Sequence, residues 1–132
     1  MPITHTTDKA RHVVTNHVTG LVTLDDVNTN YAAIRNDPEF ESSFDQISDC
    51  MDENIHADIS SEDIGTLSFN TPFDPTTLHA IAATMPAIFG LARMYQQRSL
   101  NESNVAVFKT LEDANAWIDA ERRKRGTSPA KK

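Results

Sequence analysis

A single cysteine, Cys50, stands in a chain of 132 residues. It cannot form an internal disulfide, which excludes a disulfide-stapled scaffold and any cysteine-rich metal module and agrees with a reducing compartment. Only 4 glycines are present and none belongs to a glycine-rich phosphate loop; no serine sits in a nucleophile-elbow sequence. No apolar run approaches the roughly 18 residues that a membrane-spanning helix needs. The start, Met1-Pro-Ile-Thr-His-Thr-Thr-Asp8, has neither a basic nor an apolar segment, so no secretory signal is visible and a cytoplasmic location is expected. Positive charge is missing from the middle of the chain: between Arg35 and Arg93 there is no Lys or Arg, while 11 acidic residues fall there.

What charge there is divides sharply. Residues 122–132 hold six of the 12 basic residues, so residues 1–121 carry six basic against 19 acidic side chains, a net of −13. Such a surface repels phosphate backbones, which argues against nucleic-acid binding by the folded part. The length suits one domain. The organisation expected is a flexible segment over 1–9, a single domain over 10–121 and a disordered, solubilising basic tail over 122–132.

Hydrophobic spacing then orders the elements. Arg11–Val18 reads as a strand, Gly20 as a turn and Leu21–Thr23 as a short strand pairing back on the first. Thr23 and Asp26 form a capping box for a helix striped by Leu24, Val27, Tyr31 and Ile34, which stops at Asn36-Asp-Pro38. Phe44–Met51 reads as a strand, Ser60 opens a helix with Ile64 and Leu67 inward, and Thr71–Thr77 is an irregular connection. Leu78–Thr84 is the next strand. Pro86 then opens a helix whose Ile88, Leu91, Ala92 and Tyr95 recur at helical spacing. Val105–Phe108 and a helix from Leu111, capped by Thr110 and carrying Ala114, Trp117 and Ile118 inward, complete an α/β order.

The segment Ile88-Phe-Gly-Leu-Ala-Arg-Met-Tyr95, followed by a strand and by Leu111-Glu-Asp-Ala-Asn-Ala-Trp-Ile118, resembles the SpoIIAA-like branch of the STAS superfamily of sulfate transporters and anti-sigma factor antagonists. The resemblance spans residues 10 to 120. It implies a mixed central sheet of about five strands with about four helices packed mainly on one face, and right-handed crossovers between parallel neighbours. It also implies a non-catalytic regulatory or interaction module, whose acidic face meets a protein partner or a second copy. By analogy with lipid-binding relatives of similar sheet, the alternative is a carrier of a small apolar or anionic ligand. In the antagonists a serine in an Asp-Ser-Ser-Gly-Leu context is phosphorylated. The matching place here is Asp58-Ile-Ser-Ser-Glu-Asp-Ile-Gly65, which makes Ser60 and Ser61 candidate switch residues, although Glu62 and Asp63 offset the helix-terminal gain of a phosphate there. A helix cap explains Ser60 without a switch.

Other candidates follow from residue chemistry. Arg93, near Gly90 and the start of its helix, offers a guanidinium to an anion, and equally an ion pair or a stem over apolar surface. Asp52–Asp63 falls near an EF-hand register, but Ala57 replaces the turn glycine, His56 takes position five and Asp63 stands where a bidentate Glu is usual. No metal or cofactor is assigned. An enzyme built on His56 and its acidic neighbours is the third reading. Cys50 sits in an acidic strand, where carboxylates keep a thiol inert, and His79 in an otherwise apolar strand reads as a satisfied core or edge histidine.

Overall fold

The run Ile-Thr-His-Thr-Thr, β-branched but for His5, suits an extended chain, and residues 3–8, expected to precede the folded domain, form strand β1 (Ile3–Asp8). The computed structural model describes residues 2–99 and 101–126, all but Ser68 in side-chain detail. β1 pairs antiparallel with β2 (Val13–Val18), from Ile3 opposite Val18 to Asp8 opposite Val13. This hairpin opens the domain. The expected hairpin between 11–18 and 21–23 does not form, because Gly20, at φ +65°, swings β3 (Leu21–Thr23) out of the sheet. β3 pairs instead in parallel with β5 (His56–Asp58), a strand inside the acidic stretch Asp52–Asp63 for which no strand is expected above.

The remaining elements fall as expected. They are α1 (Leu24–Arg35), β4 (Asp45–Cys50), α2 (Ser61–Asn70), β6 (His79–Ala83), α3 (Pro86–Arg98), β7 (Val105–Phe108) and α4 (Leu111–Arg125). The main sheet has five strands in the order β1-β2-β4-β6-β7, parallel except for β1. Pleating sends alternate residues of β6 to opposite sides. Ala80 and Ala82 meet Ala114 and Ile118 of α4, while Ile81 and Ala83 meet Ala92 and Ile88 of α3. α4 therefore covers one face alone, with Trp117 at its margin against Phe108 at 5.8 Å, and α1, α2 and α3 cover the other. None of the described helices is long and apolar enough to cross a membrane.

One expectation about the end of the domain is overturned. The basic segment from residue 122 begins as helix, and Arg122 is only 4% exposed. Its guanidinium bonds Asp45 Oδ2 at 2.7 Å and donates to the carbonyls of Arg11 at 2.7 Å and His12 at 2.9 Å. Asp45 Oδ1 in turn accepts the Leu78 N–H at 2.8 Å. A planar five-donor fork thus reaches the Asp45 carboxylate on β4 and two carbonyls of the turn before β2, where His12 sits at φ 58°. Burial follows from that pairing, which composition alone did not reveal. Residues 127–132 of the expected tail lie outside the described residues.

Candidate functional site

The face of the sheet turned toward α1, α2 and α3 carries a line of polar side chains where an ordinary core would carry aliphatic ones. Asn16 on β2 stands in register with Ser48 on β4, and Gln46 on β4 with His79 on β6. Asn30 reaches them from α1. Its Nδ2 donates to Asn16 Oδ1 at 2.9 Å, and Asn16 Nδ2 donates onward to Gln46 Oε1 at 2.9 Å. Asn16, Asn30 and Gln46 are 4–6% exposed, so each polar group removed from water must be matched inside the fold. The three carboxamides do this in part, as a directional relay from Asn30 through Asn16 to Gln46.

His79 sits at the far end of the line. Its Nε2 lies 2.7 Å from Ser48 Oγ, and its ring meets Tyr95 edge-on with centroids 5.4 Å apart. Nδ1 is shielded from solvent and has no hydrogen-bond partner among the described residues. Burial pulls the ring's pKa down to about 3, so the imidazole is neutral at neutral pH. The Ser48–His79 pair therefore lacks two parts of a nucleophile-and-base device: a third group that orients the imidazole through Nδ1, and a base with a pKa near the working pH. The expectation of a satisfied histidine holds for Nε2 and fails for Nδ1.

Between this floor and the three helices lies a cavity of about 160 Å³, partly open to the surface. Val18, Val22, Ile55, Ile81 and Ile88 line its apolar end, and Ile64 and Leu67 of α2 close it from above. Tyr31 and Tyr95 stand beside the polar end. Burial raises both phenols, Tyr95 to about 12. Cys50 also lines the cavity, and burial, followed by the nearby Asp49 charge, pushes its thiol up to about 12. It stays a protonated thiol, as the sequence reading expected. A second cavity of about 60 Å³ shares Gln46, His79 and Tyr95 with the first.

The residues singled out from sequence lie elsewhere, His79 and Cys50 excepted. Gly90 and Arg93 are exposed and line no part of the cavity, because helical spacing turns Ile88, Leu91, Ala92 and Tyr95 inward and rotates positions 90 and 93 away. Ser60 caps α2, its Oγ accepting the Asp63 N–H at 3.1 Å, and Ser61 is the exposed first residue of that helix. His56 lies exposed on β5, and among the described residues no three His, Cys, Asp or Glu side chains gather as metal ligands do. Asn16, Asn30, Gln46 and Ser48 escaped the sequence reading. A signal existed: Asn30 interrupts the apolar stripe Val27, Tyr31, Ile34, and Asn16 and Gln46 occupy strand positions on an inward face.

Among solved structures, the fold is similar to that of an uncharacterised protein of the DUF3478 family with a SpoIIAA-like fold from Shewanella loihica PV-4. The match covers 88% of this chain and 91% of that one, with a TM-score of 0.58 and 14% identity. At that identity the likeness is one of fold, and it bears out the SpoIIAA-like architecture. No protein-family model and no curated protein matches the chain.

Proposed function

We propose that this SpoIIAA-like domain is a non-catalytic binding module that holds a small, largely apolar molecule between its sheet and α1, α2 and α3. The observation that carries the reading is the 160 Å³ cavity, apolar over most of its wall and polar at one end. Binding sites combine apolar area with a few placed polar groups in this way. A dry engineered cavity of about 150 Å³ accepts benzene, which sets the size of ligand to expect. Titration with toluene, followed by amide NMR shifts, should give saturable changes confined to residues around the cavity. Ala92, on the cavity wall, offers the complementary variant: Ala92→Leu fills the space and should abolish the response. Absence of saturable shifts in the unsubstituted protein would refute the reading.

The acidic stretch supports a second reading, in which the domain meets a basic protein surface or a second copy of itself. Glu39, Glu41, Glu53, Asp58, Glu62 and Asp74 are all exposed, and charge of one sign over such a surface steers a complementary partner. Association that weakens steeply between low and moderate salt would support it. Phosphorylation at Ser60 or Ser61 would act on that partner contact. A cytoplasmic setting agrees with the free Cys50 thiol.

A further inference from the structure

The charge inventory of the cavity bears on what it can hold. Among the described residues its lining contains no Asp, Glu, Lys or Arg. The one side chain there that could carry charge near neutral pH, His79, is held neutral by burial. The helix starts that reach the cavity add little: α2 carries Glu62 and Asp63 in its first turn, and α3 begins on Pro86, which has no N–H. Around the cavity stands a domain with 10 basic and 19 acidic side chains over residues 1–126, a net charge of −9. An anion entering would be desolvated without a counter-charge and against the field of the domain. A cation would meet a favourable field outside and no carboxylate inside.

Hydrogen bonding, by contrast, is on offer. Gln46 spends its carbonyl on Asn16, which leaves its two amide N–H groups; Asn30 spends an N–H on Asn16, which leaves its carbonyl. Donor and acceptor thus stand at opposite ends of one relay, as assigned from the hydrogen-bond network. Resting on the ligand-binding reading above, we propose that the cavity selects uncharged molecules of about one aromatic ring that carry a group able both to donate and to accept hydrogen bonds, and rejects carboxylates and ammonium ions of the same size. A primary amide matches the relay's two free ends. The anionic ligand expected at Gly90 and Arg93 has no place in this cavity.

Four probes separate the possibilities in NMR titrations of the full chain at pH 7: toluene, benzamide, benzoate and benzylammonium. Benzamide is expected to bind at least about tenfold more tightly than benzoate or benzylammonium, one decade in the dissociation constant. Gln46→Leu should lower benzamide affinity relative to toluene, with circular dichroism checking that the variant folds. Because the comparison of probes is made on the unsubstituted protein, a variant that does not fold leaves the test intact. Toluene binding together with benzoate or benzylammonium within threefold of benzamide would overturn charge selection and leave the cavity reading standing. Toluene binding without benzamide binding would do the same. No binding by toluene or benzamide would sink both.

Discussion

Arg122→Ala removes a guanidinium that is nearly lost from solvent, with 5% side-chain exposure against 12% for its partner Asp45. Asp45 Oδ2 and the Arg11 carbonyl lose their donor, while the His12 carbonyl keeps the Asp45 N–H at 3.0 Å. Removing one partner of a buried pair costs about 3–5 kcal/mol, because the other charge is left without compensation. The Leu78 N–H that still reaches Asp45 Oδ1 keeps the expected loss within that range. For a domain of this size the loss corresponds to a fall of roughly 10–20 °C in the melting midpoint. Urea titration should show a lower midpoint with an unchanged slope, the mark of lost stability without a change of folded compactness. Adding Asp45→Asn in the same chain should recover part of the loss, since no lone charge then remains buried. The neighbouring Lys124 is exposed and, among the described residues, pairs with Glu121 alone, so Lys124→Ala should stay within about 0.5 kcal/mol. An Arg122→Ala protein within 1 kcal/mol of the unsubstituted chain, an order-of-magnitude threshold set by ordinary surface changes, would refute the strap.

Further outcomes follow from the same structure. His79 has a folded pKa of about 3 against 6.5 for the free side chain, so the unfolded chain takes up the proton first as pH falls. Its contribution to stability is complete above about pH 6.5 and declines below it by up to about 1.4 kcal/mol per pH unit; His79→Asn should flatten the curve of urea midpoint against pH between 6.5 and 4. Ser60→Ala should cost about 0.5–2 kcal/mol through loss of the α2 cap while Ser60→Asp, itself a good cap, stays near neutral; partner binding that survives Ala and is lost with Asp would instead make phosphorylation the leading account. Ile118, fully buried, should cost about 2–5 kcal/mol on conversion to alanine, and half-buried Phe89 less, in denaturant titrations.

Elements with strong periodicity were legible in the sequence, and those defined by partners were not. The apolar stripe of α3 and the capping box of α1 are local patterns, and both formed where expected. β1 escaped because its alternation is nearly all threonine and histidine, so only its pairing with β2 identifies it. β5 escaped because its three residues are polar or small and gain their order from β3, far off in the chain. The site shows the same division. His79 stood out as a lone ring among alanines, whereas Asn16, Asn30 and Gln46 are unremarkable singly and acquire meaning only when the fold stacks them into one relay. Arg122 looked like one of a basic run until a carboxylate 77 residues earlier claimed it.

That separation carries a consequence for biosynthesis. Asp45 opens the central strand β4, but its guanidinium partner is 77 residues downstream, so at ribosomal speeds the carboxylate leaves the peptidyl-transferase centre about 4–15 seconds before Arg122 is even made. The Arg11 carbonyl in the turn that precedes β2 waits longer, since its donor is the same side chain 111 residues later. A nascent chain that ends between β7 and α4 therefore has the strands of its sheet but not the clasp that joins its beginning to its end. Stalled ribosome complexes should carry a protease-sensitive N-terminal hairpin until the last helix clears the exit tunnel.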